Sequence, residues 1–466
     1  MLKTTVQFFG GLDTIGGNIV EITYGNSRVI SDFGLTYNPQ ANLLTHITNS
    51  RAAKIISDSL RLGLIPAIPG FYNKEDLLCA GPALKDLPAR EETNLETIVC
   101  ISHLHLDHMG AMGLIPVQTP VYLSEKGLQL YRELEVIGES VIGPERELSS
   151  IAENETIKVG EITITAIPVD HDCYGSSSFL VKTPDATIVI SGDIRKHGQD
   201  PEKNERWIEK VQKENPDLLL MEGTTVKDSE SASPENVVTE GYISTLMNDE
   251  LKGKDSQLAI FNIYHRNLDR LQNMILAGEK SSRKTVFEVE TAYLISKLID
   301  FDKTIYAYMP ESLLAKQQEN SLPPWQTELL ERVQAVTAED MIKEPGKYLV
   351  QNSFHNILEL YELPLEGATY FHANGVPLGP FDPLYDQLLT FLADQGVSFN
   401  NINVSGHAYP DDLRYYIDQV KPKNLIPWHS LAPKYVLPSN EDAINVLLPQ
   451  YGVRYEVVNG TLISIK

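Results

Sequence analysis

Residues 102–108 read Ser-His-Leu-His-Leu-Asp-His, so His103, His105, Asp107 and His108 crowd into one short stretch of a chain that has 11 histidines among 466 residues. Imidazole nitrogen and carboxylate oxygen together suit zinc, with manganese as the alternative. The run TIVC ahead of the block predicts a short apolar strand, and MGAMGLI behind it predicts a helix start. His103 and His105, two apart on extended chain, point the same way and can clamp one cation. Asp107 and His108 lie past the bend and can face a second cation close by. The competing reading is a helix N-terminus capped by an Asp and flanked by surface histidines.

The rest of the chain has to supply strands that end near this block. Residues 4–34 predict three strands, in TVQFFGG, NIVEITY and RVISDFG, with Asp32 at the end of the third. Residues 36–95 are long for a connection and contain one helical stretch, RAAKIISDSLRLG. A loop of that length is functional or has structure of its own, so it either walls the cleft or packs as an excursion. A strand (PVYLS), a helix from about Glu125 to Val136 and an irregular piece come next. ETIKV and EITITAIPVD then alternate like paired strands, and the second runs into Asp170-His171-Asp172. ATIVISGDIR puts Asp193 after an apolar strand, and DLLLMEGTT puts Glu222 at the end of a buried one. From about residue 226 to 398 the character changes. A polar opening, KDSESASPEN, leads into helices alternating with QLAIFNI, KTVFEVE, KYLVQ and ATYFHA, the pattern of a parallel α/β layer. INVSGHA and NLIPWHS then place His407 and His429 after two more apolar strands, and one helix and two strands are expected to close the chain.

Composition narrows the class. The length implies two or three domains. A content of 42% hydrophobic and 22% charged residues fits an ordinary soluble globular protein. No apolar run reaches the ~18 residues that span a bilayer, and no signal peptide is read at the N-terminus. Cys79, Cys100 and Cys173 are expected to be reduced thiols in a cytoplasm. The net charge of −24 excludes a broadly basic surface, so a site for a polyanion must be local or supplied by metals.

Asp32, HLHLDH, His171 and Asp193 resemble the first four motifs of the metallo-β-lactamase superfamily. Glu222, VSGHA with His407 and IPWHS with His429 resemble the three further motifs of its β-CASP nuclease branch, and GGLDTIGGN and KPKNLIPWH are similar to ribonuclease J. The resemblance implies an α/β chain: an αββα metallo-β-lactamase sandwich begun by residues 1–225, interrupted by a β-CASP domain over 226–398 and completed by 399–466. It implies two zinc ions, manganese being possible. His103, His105 and His171 would hold one, Asp107, His108 and His429 the other, with Asp193 bridging. Two such cations share a hydroxide and stabilise both the attacking and the leaving oxygen of a phosphodiester. Asp107, Glu222 and His407 are the catalytic residues by this likeness, His407 at the scissile phosphate as proton donor or charge stabiliser. Asp32 and Glu222 would fix ligand tautomers from behind.

The implied substrate is single-stranded RNA, with DNA or short oligonucleotides open. The implied assembly is a homodimer in the cytoplasm, away from membranes. In the insert, Tyr264-His265-Arg266-Asn267 and Arg270, then Ser353-Phe354-His355, are candidate substrate groups. Three features depart from ribonuclease J of bacteria. Its further C-terminal domain has no counterpart here, its 5′-phosphate pocket should fall where residues 350–356 read VQNSFHN, and Glu222 in MEGTT looks more like eukaryotic 3′-end-processing endonucleases. Exonuclease and endonuclease action therefore both stay open. The second reading is a metal-dependent hydrolase of a small or short-oligonucleotide ester, which the acidic composition favours. A non-catalytic scaffold is the third, and the complete ligand set argues against it.

Overall fold

The computed structural model describes residues 2–36, 51–300 and 303–465. Two sheets face each other. The first has eight strands, in the order Thr461–Ile465, Arg454–Val458, Thr5–Phe8, Val20–Tyr24, Ser27–Ser31, Glu96–Cys100, Val121–Ser124 and Ser149–Ile151. The second has seven, in the order Asn445–Val446, Asn424–Trp428, Leu218–Glu222, Thr187–Ile190, Ser177–Lys182, Ile162–Pro168 and Thr156–Val159.

Strand alternation sorts the side chains into layers. Leu218 and Leu220 point into the core between the sheets with Ile188, Ile190, Ile426, Val6, Ile22 and Val29. Leu219, Met221, Val189 and Leu425 point the other way, onto Trp207, Ile208 and Val211 of helix Glu202–Gln212 and onto Leu413, Tyr416 and Ile417 of helix Pro410–Val420. The outer face of the first sheet, through Ile30, Val99 and Leu123, packs on Ile55 and Leu60 of helix Ile55–Leu62 and on Leu130 and Leu134 of helix Glu125–Val136. Helix, sheet, sheet, helix is the expected αββα order.

A third sheet interrupts the sandwich, in the order Gln334–Val336, Tyr306–Tyr308, Lys284–Phe287, Tyr348–Gln351, Ala259–Ile263, Thr369–Ala373 and Ser398–Asn401. All of its pairings are parallel. Helices cover both faces, as a parallel sheet requires. Phe261 and Phe287 pack on Leu271 and Met274 of helix Leu268–Lys280 and on Leu294 of helix Val289–Leu298. Ile260 and Tyr370 pack on Leu388 and Leu392 of helix Pro383–Asp394. The last strand runs to Asn401, three residues beyond the boundary read from sequence.

Two expectations change. Residues 37–50 of the long connection lie outside the described residues, but its remainder packs. Ile55, Ile56, Leu60, Ile65, Ile68, Phe71, Tyr72 and Leu77 share one buried cluster with Phe33, Met109 and Met112, behind the histidine block. Buried Arg28 ties the excursion down by donating to Pro69 O (2.8 Å) and Gly70 O (2.7 Å). The helix expected near the C-terminus is replaced. Asn445 and Val446 add a strand beside Asn424 and Leu425, and Pro449 bars a helix from continuing through this stretch.

Candidate active site

The chemically capable side chains gather past the carboxyl ends of strands, with Asp107 and His108 on the short helix Leu106–Met109 and Glu222 as the last residue of its strand. Asp32, after strand Ser27–Ser31, has a left-handed backbone (φ 61°), a conformation that short polar side chains tolerate. Its carboxylate accepts the Ser102 N–H (2.7 Å), the Ser102 hydroxyl (3.0 Å) and His108 Nδ1 (2.9 Å). The hydroxyl of Ser102 in turn lies 3.0 Å from His103 Nδ1. One buried aspartate thus fixes both ends of the block. His171 Nδ1 donates to Gly406 O (2.6 Å), and His429 Nδ1 meets Thr224 Oγ1 (2.7 Å). His407 Nδ1 donates to Glu222 Oε2 (3.0 Å), while Glu222 Oε1 accepts the Ile194 N–H (3.1 Å). With their Nδ1 atoms tied, His103, His108, His171 and His429 turn Nε2 inward, as metal ligands do. His429 itself takes a left-handed backbone (φ 51°), a strain seen chiefly at functional sites.

The inward atoms converge on Asp193. Its Oδ2 lies 3.1 Å from His108 Nε2, 3.6 Å from His103 Nε2, 3.7 Å from His407 Nδ1, and 3.8 Å from both His171 Nε2 and His429 Nε2. His105 Nδ1 is 3.1 Å from His171 Nε2, and His429 Nε2 is 2.9 Å from Asp107 Oδ2. Both carboxylate oxygens of Asp193 and Nε2 of His103 are nonetheless buried without a hydrogen-bond partner. Buried polar atoms are normally paired, and a bound cation would satisfy these. Asp193 is shared by two donor sets, His103, His105 and His171 on one side and Asp107, His108 and His429 on the other, and by a third group with Glu222 and His407, the ligand atoms of each group lying within 4.8 Å of one another. The donor types and the unpaired atoms fit two cations.

Protonation divides the centre: burial would lower His108, but the carboxylates of Asp193, Asp107 and Asp32 outweigh it and hold that imidazole well above the usual range. Burial and neighbouring imidazoles push His103 well below the usual range, and burial takes His105 to about 4, leaving both with free lone pairs at neutral pH. Burial alone would raise Asp193, but the charges of His108, His429 and His407 hold it well below the usual carboxylate range. Burial pulls His407 down, yet Glu222 and Asp193 carry it up to about 10.

The structure therefore brings together His103, His105, Asp107, His108, His171, Asp193 and His429, with Asp32, Glu222 and His407 around them. Two of the expected substrate groups, Arg270 and Arg266, are not free. Arg270 is fully buried and is spent on Glu240 (2.9 Å) and on Ala373 O and Asn374 Oδ1 (both 3.1 Å). Arg266 is buried, donating to Leu104 O (2.6 Å) between the first two histidines and pairing with Glu139 (3.3 Å). Ser353 gives its backbone N–H to Glu288 (2.8 Å), and His355 is an exposed residue following strand Tyr348–Gln351. Tyr264 does reach the centre, its ring 5.4 Å from that of His105.

Sequence reasoning missed several participants. Asp172 Oδ1 lies 3.3 Å from His171 Nε2 and is buried and unpaired. A Cβ at position 406 would fall 2.4 Å from that oxygen, so the glycine of VSGHA makes room for it. Behind His171, Arg195 joins Asp170 (3.0 Å) to Glu240 (3.0 Å), and Glu240 continues to Arg270 in the insert. The adjacency of Asp170 and Asp172 to His171 was the available signal; nothing local marks Arg195 or Glu240. A cavity of about 90 Å³ opens beside His171 and Asp172, with Lys126, Lys203, Ser176 and Asn267 in its wall.

Residues 64–249 match the family model of the beta-lactamase superfamily domain. The chain is 24% identical over 440 residues to ribonuclease J of Pyrococcus abyssi, covering 91% of this chain and 89% of that one. Along most of its length the chain is similar to ribonuclease J. Ribonuclease J of Helicobacter pylori is 22% identical over 467 residues, 98% of this chain and 60% of that one. Ribonuclease J2 of Bacillus subtilis is 26% identical over 344 residues, 71% and 58%. The chain thus spans most of the archaeal relative and about 60% of the bacterial one from Helicobacter pylori. A protein of unknown function from Enterococcus faecalis V583 shares the architecture, with a TM-score of 0.77 at 28% identity over 97% of this chain and 100% of that one. This likeness and the His/Asp centre together make the protein a metal-dependent hydrolase. No helix among the described residues is long and apolar enough to cross a membrane.

Proposed function

We propose that the protein is a zinc-dependent nuclease acting on single-stranded RNA. The observation that carries this reading is Asp193 Oδ2, unpaired and ringed by five imidazoles within 3.8 Å. His103, His105 and His171 would hold one zinc and Asp107, His108 and His429 the second, with Asp193 within reach of both sets. When bound, the two ions supply a hydroxide nucleophile near neutral pH and positive charge for the phosphate oxygens. The chain's own residues do the rest. Glu222 holds the Nδ1–H of His407, so the imidazole is fixed in orientation, and the carboxylate favours its protonated form. His407 donates a proton or charge to the scissile phosphodiester. Tyr264 presents a ring beside His105 on which a base can stack. A reducing compartment such as the cytoplasm suits its three free cysteines.

Cleavage should not depend on a 5′-phosphate. The segment after Tyr348–Gln351 is turned toward Glu288, and a carboxylate there repels a phosphate terminus. The test is the zinc-loaded protein on end-labelled single-stranded RNA with either a 5′-monophosphate or a 5′-hydroxyl. Internal fragments at equal rates from both forms support the reading; mononucleotides released first from the monophosphate form would overturn its end-independence. The net charge of −24 favours a second reading, hydrolysis of a small ester or short oligonucleotide. Turnover of a chromogenic phosphodiester that long RNA fails to inhibit would select it.

A further inference from the structure

We propose that the inserted sheet holds a second ligand site, for a small organic polyamine, at the carboxyl ends of strands Lys284–Phe287 and Tyr348–Gln351. These two strands are neighbours. The chain leaves the first toward Tyr306–Tyr308 and Gln334–Val336 on one side. It leaves the second toward Thr369–Ala373, beyond Ala259–Ile263, on the other. Connections that diverge in this way open a crevice at the carboxyl ends of a parallel sheet, the usual place for a ligand in such folds.

A cavity of about 170 Å³ lies there, and Glu288, Glu290, Tyr308, Asn352, Asn356 and Glu359 supply its polar lining. No lysine, arginine or histidine among the described residues lines it. Tyr308 and Asn352 are only 6% and 4% exposed, and Tyr308 Oη and Asn352 Oδ1 have no hydrogen-bond partner. Asn352 spends its Nδ2 on Asn356 O (2.8 Å), so the side chain is oriented with an acceptor left over. Glu288 is held in place by the Ser353 N–H (2.8 Å) and by Asn356 Nδ2 (3.1 Å). Leaving buried polar atoms unpaired is costly, and a ligand is the usual remedy.

The lining names the ligand. Carboxylates, a carboxamide oxygen and a phenol oxygen accept hydrogen bonds from ammonium groups and repel phosphate. A bare metal ion fits less well. Among the described residues, groups of three or more carboxylate, imidazole or thiol ligands within 4.8 Å of one another occur only at the Asp193 centre. An elongated amine reaches spread carboxylates that a single ion cannot close upon. Burial also pushes the Glu288 and Glu359 carboxyls up, and a bound ammonium would offset that cost.

The test is calorimetric titration of spermidine into the zinc-loaded full chain, wild type, Tyr308→Phe and Glu359→Gln. One saturable event is expected in the wild type, weakened about tenfold by either substitution. Tyr308→Phe should unfold no earlier than the wild type without ligand, because its hydroxyl has no partner to lose. Magnesium chloride and inorganic phosphate, added separately, should not compete. Equal binding by all three proteins would show diffuse attraction to an acidic surface and overturn the site. So would the absence of saturable heat, or displacement of spermidine by magnesium.

Discussion

At the scale of residues, the centre separates groups that would hold metal from one that would act on substrate. His407 faces Asp193 at 3.7 Å, but the same Nδ1 is tied to Glu222 at 3.0 Å, so that nitrogen is already engaged. His407→Ala should therefore leave the zinc content unchanged while cleavage falls by about 10²–10⁴. Metal analysis and single-turnover cleavage on the same preparation check this; intact cleavage would remove His407 from the chemistry. Asp193→Asn should instead lower the bound zinc itself, because both donor sets share that carboxylate.

At the scale of elements, the site depends on how the insert is fastened to the sandwich. Glu240 is fully buried between Arg195 and Arg270, and Arg270 reaches the end of strand Thr369–Ala373. Glu240→Gln leaves two buried guanidiniums with Asp170 as the remaining carboxylate, and should cost about 3–5 kcal/mol in urea unfolding. A second fastening is acid-sensitive. Burial works to raise the Glu139 carboxyl, but its bonds to His265 and Arg266 win and bring it from the usual 4.5 down to about 2. A carboxyl lowered on folding stabilises the native state above its unfolded value, and this support is lost as pH falls from about 4.5 to 2. Glu139→Gln should accordingly destabilise the protein at neutral pH and matter progressively less through that acid window. Urea midpoints of both proteins across the window would reveal a constant difference if Glu139 had no such role.

At the scale of the whole molecule, the net charge of −24 opposes a polyanionic substrate everywhere except at the metals. Added salt shortens the reach of that repulsion, from about 30 Å at 0.01 M to about 8 Å at 0.15 M. The kcat/KM for long single-stranded RNA should rise over this range, opposite to the fall seen when binding depends on basic contacts. A steep fall would reveal a basic track that the chain's composition does not show.

The motifs that name the chemistry were legible because covalent neighbours carry them. His103, His105, Asp107 and His108 share one short stretch, and His171, Asp193 and His429 each follow an apolar run that forms a strand, whereas the strand before His407 ends at Asn401 and leaves the expected INVS run outside it. The parallel insert was legible because short apolar runs alternate there with helical stretches, and the antiparallel pair because alternation of two is a local property. Contacts between distant segments were not. The carbonyl of Gly406 that orients His171 lies 235 positions away, and Thr224 lies 205 from His429. Arg266 and Arg270 read from sequence as cations free for substrate, because arginine looks the same whether its partner is solvent or a buried glutamate. Burial, and the identity of the partner across the fold, decided their role. The sequence by itself determined which groups can bind metal and which strands present them. Only the tertiary structure decided that their inward atoms converge on one unpaired carboxylate, because convergence depends on the angles at which separate strand ends meet.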